Sequence, residues 1–168
     1  MYKKIISQSS LSIVTLDEVT DQCRVFNAFE DNYLTSLIIP YSDLAQSYTR
    51  RMLTPGQAVV LIESYCPVVQ LPFGEVTEVT ELMLDDVVST DFTFNTITQK
   101  VKINKPFTEA QITFNAGYLS VPDIVKHAIL VAINTAFTNR DDTVIGQTVT
   151  KMPMTSLDLL DRVKLYGT

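Results

Sequence analysis

The spacing of the apolar residues changes twice along this 168-residue chain, and those two changes constrain its fold more than any other feature. Before residue 54 apolar side chains recur every three or four positions, from Gln57 to Tyr118 they alternate or run together, and from Val121 the helical spacing returns. Such a chain must combine packed helices with a sheet. Thr15, with Glu18 three residues on, lets hydroxyl and carboxylate each accept a backbone N–H at a helix start, and Leu16, Val19, Cys23 and Phe26 follow in phase. That predicts a helix over about 15–27. Asp31 or Asn32 caps a second, with a stripe from Tyr33 and Leu34 through Ile38, Tyr41 and Leu44 to Tyr48 and Met52. Pro40 removes one hydrogen bond from it, at about 3 kcal/mol in a helix interior. Because the apolar phase carries on unchanged, a kink is expected instead of two unrelated helices. Thr54-Pro55-Gly56 ends the helix.

The middle third reads as short strands. Ala58–Ile62 and Val68–Leu71 are β-branched and aliphatic runs, and Gly74–Leu84 alternates Val76, Glu78, Thr80 and Leu82 against Thr77, Val79, Glu81 and Met83. Asp91–Ile97, Gln99–Ile103 and Ala110–Tyr118 follow, with turns at Asp85-Asp86, Asn95–Gln99 and Asn104-Lys105-Pro106. Pro122 and Asp123 then restart a helix over about 121–139 that is apolar on almost every side and is expected at the centre of the core. Residues 140–150 are polar and read as a loop or mobile hairpin, and Ser156 caps a closing helix with Leu157, Leu159, Leu160 and Val163. The expected fold is α+β: mainly a bundle of about four helices with a small antiparallel β-sheet inserted in the middle third, in the order α-α-β(n)-α-α. All of 1–168 is expected as one domain, and no internal repeat appears.

Composition narrows the function. With 46% apolar and 19% charged residues the chain has ample material for a core, which excludes disorder throughout. Thirteen Lys and Arg against nineteen Asp and Glu give a net charge of −6, and the basic residues are scattered, never more than two adjacent. A direct nucleic-acid binder is therefore not expected. Ser7 to Ser10 break the N-terminal apolar stretch, which is wrong for a secretion signal, and no uncharged run reaches the roughly 18 residues of a membrane span. Cys23 and Cys66 have no metal-binding spacing and read as small core residues in a reducing compartment, so the chain is expected to be made in a cytoplasm.

His127 is the only histidine, and on a helix of aliphatic neighbours it reads first as a hydrogen-bonded edge residue and only then as a catalytic base. Glu75, Glu78, Glu81, Asp85, Asp86 and Asp91 crowd one stretch without Lys or Arg. Strand parity puts Glu75, Glu81 and Asp85 on one face and Glu78 and Asp86 on the other, so they read as a solvated edge before a metal site. A further reading is an acidic lining, with Asp85, Asp86 and Asp91 as candidates. Five glycines form no phosphate-cradling motif, and Tyr33, Tyr41 and Tyr48 read as core or interface. Neither a metal nor a cofactor is expected.

The order of these elements resembles the head-tail connector proteins of long-tailed bacteriophages, also called adaptor or head-completion proteins. The resemblance is carried by TLDEVTDQCRV, DNYLTSLIIPYSDLAQSYTRR, VVQLPFGEVTEVTELML and ITFNAGYLSVPDIVKHAILVAINTAFTNRD, followed by the leucine helix. It extends from about Leu16 to Leu165, and its most specific stretch is Ile112–Asp141. The resemblance implies a structural virion protein, not an enzyme, assembled in the host cytoplasm into a twelve-fold ring beneath the portal vertex. Its partners would be the portal protein, neighbouring copies and a neck stopper or tail protein, with genomic DNA passing through unbound and no membrane involved. It further implies that the C-terminal segment reaches the portal, giving Met152, Met154, Leu157, Leu159, Leu160, Val163, Leu165 and Tyr166 as candidates, and that 140–150 lies near a partner. Removing residues 152–168 is then expected to leave a folded protein that cannot complete heads.

Two observations fit independently. A ring needs two different patches repeated around an axis, and the apolar helix at 121–139 and the leucine-rich tail offer surface for them. An acidic ring repels the phosphate backbone at short range, within roughly 8 to 10 Å in salt. The alternatives are a neck stopper or tail-completion protein further from the portal and, more remotely, an enzyme using His127.

Overall fold

In the computed structural model of the protein the described residues are 1–139 and 155–166. Their elements run β1 (Tyr2–Gln8), α1 (Leu16–Cys23), α2 (Asp31–Thr49), β2 (Gly56–Ile62), β3 (Val68–Gln70), β4 (Val76–Leu84), β5 (Val87–Val88), β6 (Phe92–Asn95), β7 (Lys100–Ile103), β8 (Ala110–Ala116), α3 (Asp123–Thr138) and α4 (Ser156–Asp161). The architecture is α+β with antiparallel sheets. Strand residues are about as numerous as helical ones, which corrects the expectation of a mainly helical chain. The middle third is spent almost wholly on strands, and β1 adds one that the sequence does not announce. Two compact units result: Met1–Ser9, Arg50–Ser120 and Leu165–Thr168 make a sheet unit, and Ser10–Thr49 with Val121–Lys164 a helical unit.

The sheet unit holds a five-stranded sheet of order β1-β2-β8-β4-β5 and a three-stranded sheet of order β3-β7-β6, where one small sheet was expected. Their inner faces meet in one apolar cluster. Ala58 and Val60 of β2, Ile112 and Phe114 of β8 and Leu82 of β4 pack with Val69 of β3 and Val101 and Ile103 of β7. Each large side chain buried this way contributes about 1.5–3 kcal/mol. β1 is an edge strand, paired in register from Tyr2↔Leu61 to Gln8↔Gly56 with a bulge between Ile5 and Ser7. Only Ile5 packs against the core, so β1 lacks the alternation that marks a half-buried strand.

Irregularities in this unit are fixed by polar side chains. Asp85 and Asp86, at φ 49° and 64°, form the tight turn between β4 and β5, as left-handed residues at both central positions of a two-residue hairpin do. Between β6 and β7, Asn95 Oδ1 accepts from the backbone N–H groups of Ile97 and Thr98, both at 2.9 Å. Phe73, Gly74 and Glu75 are three consecutive left-handed residues. At Gly74 a Cβ would stand 2.5 Å from Arg51 Nη1, so only glycine fits there without displacing the guanidinium. Gln99 pairs with the backbone of Val76 as a strand would: its Oε1 accepts from Val76 N–H at 2.6 Å and its Nε2 donates to Val76 O at 3.1 Å.

In the helical unit the Thr15–Glu18 capping box forms as the spacing predicts, at 3.2 and 2.8 Å. The helix stops at Cys23 because Arg24 turns left-handed at φ 55°, so Phe26, expected on its apolar stripe, lies beyond it and is 92% exposed. α2 passes through Pro40 as one element; Pro40 itself is exposed. It buries Leu34, Ile38 and Ala45 together with three polar residues, Ser42, Gln46 and Thr49. Thr49 Oγ1 donates to Ala45 O at 2.8 Å, whereas the fully buried Ser42 hydroxyl has no partner among the described residues. α3 contributes Val125, Ala128, Ile129 and Ile133 to this unit's core. α4 is capped by Thr155 with Asp158, one residue before the expected Ser156, and buries Leu159 and Leu160. Tyr48 ties α2 to α4: its hydroxyl donates to Asp161 Oδ1 at 2.7 Å and Lys164 Nζ lies 4.0 Å from its ring centroid.

Candidate functional site

The chemistry-bearing residues are dispersed. His127 is exposed on α3 and makes no hydrogen bond among the described residues, which corrects its reading as a hydrogen-bonded edge residue. Burial pushes the Cys23 thiol above its ordinary range, away from thiolate reactivity. Cys66 is exposed, with Sγ donating to Val68 O at 3.1 Å, and is not the core residue expected. Among the described residues no group of three His, Cys, Asp or Glu could hold a metal, and no helix is long and apolar enough to cross a membrane. A groove of about 480 Å³ between Ser7, Gln57, Thr77, Asn115 and Leu119 contains no titratable side chain. Among the described residues Tyr118 is a perturbed ionisable group that lines a groove. Burial raises its phenol above the usual value, while Arg51 lowers and Glu75 raises it to lesser extents.

The C-terminal candidates separate by burial. Leu159 and Leu160 face the interior of the helical unit, Val163 and Leu165 are half-buried, and Leu157 and Tyr166 are 43% and 71% exposed. Leu165 lies against the Gly74 turn of the sheet unit. Met152, Met154 and the 140–150 segment fall outside the described residues. Because two leucines of this tail are core residues, removing 152–168 would open the helical unit, so single exposed side chains are the better probe of its surface role.

The acidic candidates differ in what holds them. Asp85 Oδ1 accepts from the N–H groups of Thr108 and Glu109 at 3.0 and 2.9 Å, and Asp86 is exposed at the same turn. Asp91 accepts from Asn104 Nδ2 at 3.0 Å and lies 3.9 Å from Lys105 Nζ. Glu75 pairs with Arg51 at 3.6 Å.

The parity argument for the remaining carboxylates fails, and the cause is local. β4 is bulged twice against β8, between Val76 and Glu78 and between Val79 and Glu81. Glu78 therefore stands opposite Asn115 and Glu81 opposite Thr113, on one and the same outward face. Asn115 Nδ2 donates to Glu78 Oε1 at 2.7 Å. Thr77 and Thr80, the extra residues, donate their hydroxyls to the carbonyls of Asn115 and Thr113 at 3.3 and 3.0 Å. The signal was present in the sequence as Val-Thr-Glu-Val-Thr-Glu, a period of three that a strand of period two can follow only with one bulge per triplet.

The opposite side of the unit carries the other sign. Val101 and Ile103 point into the core, so Lys100 and Lys102 stand outward from β7, flanked in register by Gln70 and Asn95 and by Val68 and Thr93. The sheet unit thus has one outer face with two glutamates and another with two lysines. These two faces present charge and shape.

No protein-family profile matches the chain, and no curated protein matches it. Solved structures do. A chain from the neck of an empty gene transfer agent (GTA) particle, computed with C6 symmetry, superposes with a TM-score of 0.76 at 16% identity, covering 100% of this chain and 97% of the other. A chain from the virion of a native GTA particle gives the same values. One from the neck of a native GTA particle, computed with C12 symmetry, gives 0.69 at 14% identity over the same shares. The likeness is one of fold, and it spans both chains almost entirely.

Proposed function

We propose that the chain is a structural component of the neck of a phage-like particle, a head-tail connector that forms a ring beneath the portal vertex and joins the DNA-filled head to the tail. The observation that carries this reading is the whole-length fold likeness to chains of GTA necks, one of them solved with twelve-fold symmetry. The dispersion of His127, the cysteines and the carboxylates supports a protein that makes and breaks no bond. A net charge of −6 suits a passage through which DNA moves without adhering. In this reading the portal is met by the C-terminal segment, with Leu157 and Tyr166 as its exposed large hydrophobic side chains among the described residues.

The test is genetic and physical together. Particles made without this chain are expected to accumulate as DNA-filled heads lacking tails in electron micrographs, and purified chain is expected to load onto portal rings as a twelve-fold band in native mass measurements. Normal tailed particles without the chain would overturn the reading. Capture of tail-tube or tail-terminator protein in place of portal would move the subunit down the neck, to a stopper or completion role.

A further inference from the structure

We infer that neighbouring copies of this chain dock head to tail through the two outer faces of the sheet unit, the lysine face of one copy against the glutamate face of the next. The inference rests on the ring reading above and names the surface that would close it. A ring joins two different patches of the same protomer, and these must be complementary and point away from each other. The two faces meet both conditions, because they lie on opposite sides of one shared core.

The charges are free to be used across an interface. Lys100 and Lys102 are exposed and have no carboxylate within salt-bridge distance among the described residues; the six outward positions of β3, β7 and β6 include no acid. Their polar neighbours are already committed: Gln70 donates to the carbonyls of Thr98 and Gln99, and Asn95 holds its turn. On the other face Glu81 is exposed with no cation within salt-bridge distance among the described residues, and Glu78 accepts from the Asn115 amide. Among the described strand residues Lys4 is the base on that face. It stands at the β1 edge in the row Lys4↔Val59↔Thr113↔Glu81, three strand spacings or about 14 Å from Glu81.

Each face also has apolar area to bury. Val68 is 45% exposed beside Lys102, and Val59, Leu61 and Met83 are half-buried across the glutamate face. Exposed ion pairs add little energy, so these apolar groups supply attraction while the charges set orientation. Placing like faces together would bring Lys100 and Lys102 against their own copies, or Glu78 and Glu81 against theirs, which disfavours a two-fold dimer and leaves head-to-tail growth.

Full-length chain with Lys100→Glu and Lys102→Glu has two acidic faces, and chain with Glu78→Lys and Glu81→Lys has two basic ones. Each alone, with a native thermal melt, is expected to lose at least tenfold in ring formation on portal, read by native mass. Mixed in equal amounts they should restore rings in which the two variants alternate, and the chain carrying all four changes should assemble alone. Rings of either single-face variant at the native level would overturn the inference while leaving the ring reading intact. So would a mixture no better than its parts, or a lysine variant that assembles normally and has instead lost retention of a short DNA duplex. Native chain that forms no ring with or without portal would sink both.

Discussion

The two units place their polar exceptions differently. In the sheet unit several departures from regular pairing are bridged by side chains: Gln99 on Val76, Thr77 and Thr80 on the bulged ladder, Asp85 on the chain at Thr108 and Glu109. In the helical unit the polar exception lies in a side chain: Ser42 is buried near the centre of α2 with its hydroxyl unpartnered among the described residues. A sheet built from sequence-distant strands must specify its register, and directional bonds do that. Helices pack on apolar stripes that tolerate a misplaced hydroxyl, at the cost of its lost hydration.

Mutations sharpen or break this contrast. The largest effect is expected from Phe114→Ala, which empties the middle of the shared sheet core and should cost about 3–5 kcal/mol in denaturant unfolding. Gln99→Ala should cost about 1–3 kcal/mol, because it leaves both backbone groups of Val76 without their amide partner. Tyr48→Phe removes one partly exposed bond to Asp161 and should cost under about 1 kcal/mol, with faster hydrogen exchange confined to α4. Ser42→Ala is expected to be neutral or to stabilise by up to about 1 kcal/mol. If Ser42→Ala proved more damaging than Gln99→Ala, the contrast between the units would be wrong.

The same contrast explains what could be read in advance. Period and caps gave the helices and six strands, because Thr15–Glu18, the stripe through Ile38 and the run Ala58–Ile62 are local signals that tertiary contacts reinforce. β1 escaped because an edge strand needs no clean alternation, and Tyr2–Gln8 is mostly exposed. β5 escaped because two residues carry no period. The face of Glu81 was misassigned because parity counts residues, whereas a bulged ladder counts partners. The end of α1 was overrun because Arg24 adopts φ 55°, a conformation that arginine does not advertise as glycine would. The surface pairing of Glu78 with Glu81, and its separation from Lys100 and Lys102 by a whole core, depends on register and could only come from the folded chain.

Each Val-Thr-Glu triplet of β4 spans two residues of β8: Val76 to Glu78 cover Ala116 and Asn115, and Val79 to Glu81 cover Phe114 and Thr113. Thr77 and Thr80 are the residues that the bulges take up, so losing either would close its bulge and leave the facing of its neighbours unchanged, whereas adding one residue without a further bulge would turn the strand beyond it inside out. The two bulges are therefore slack: this strand can shed up to two residues without everting.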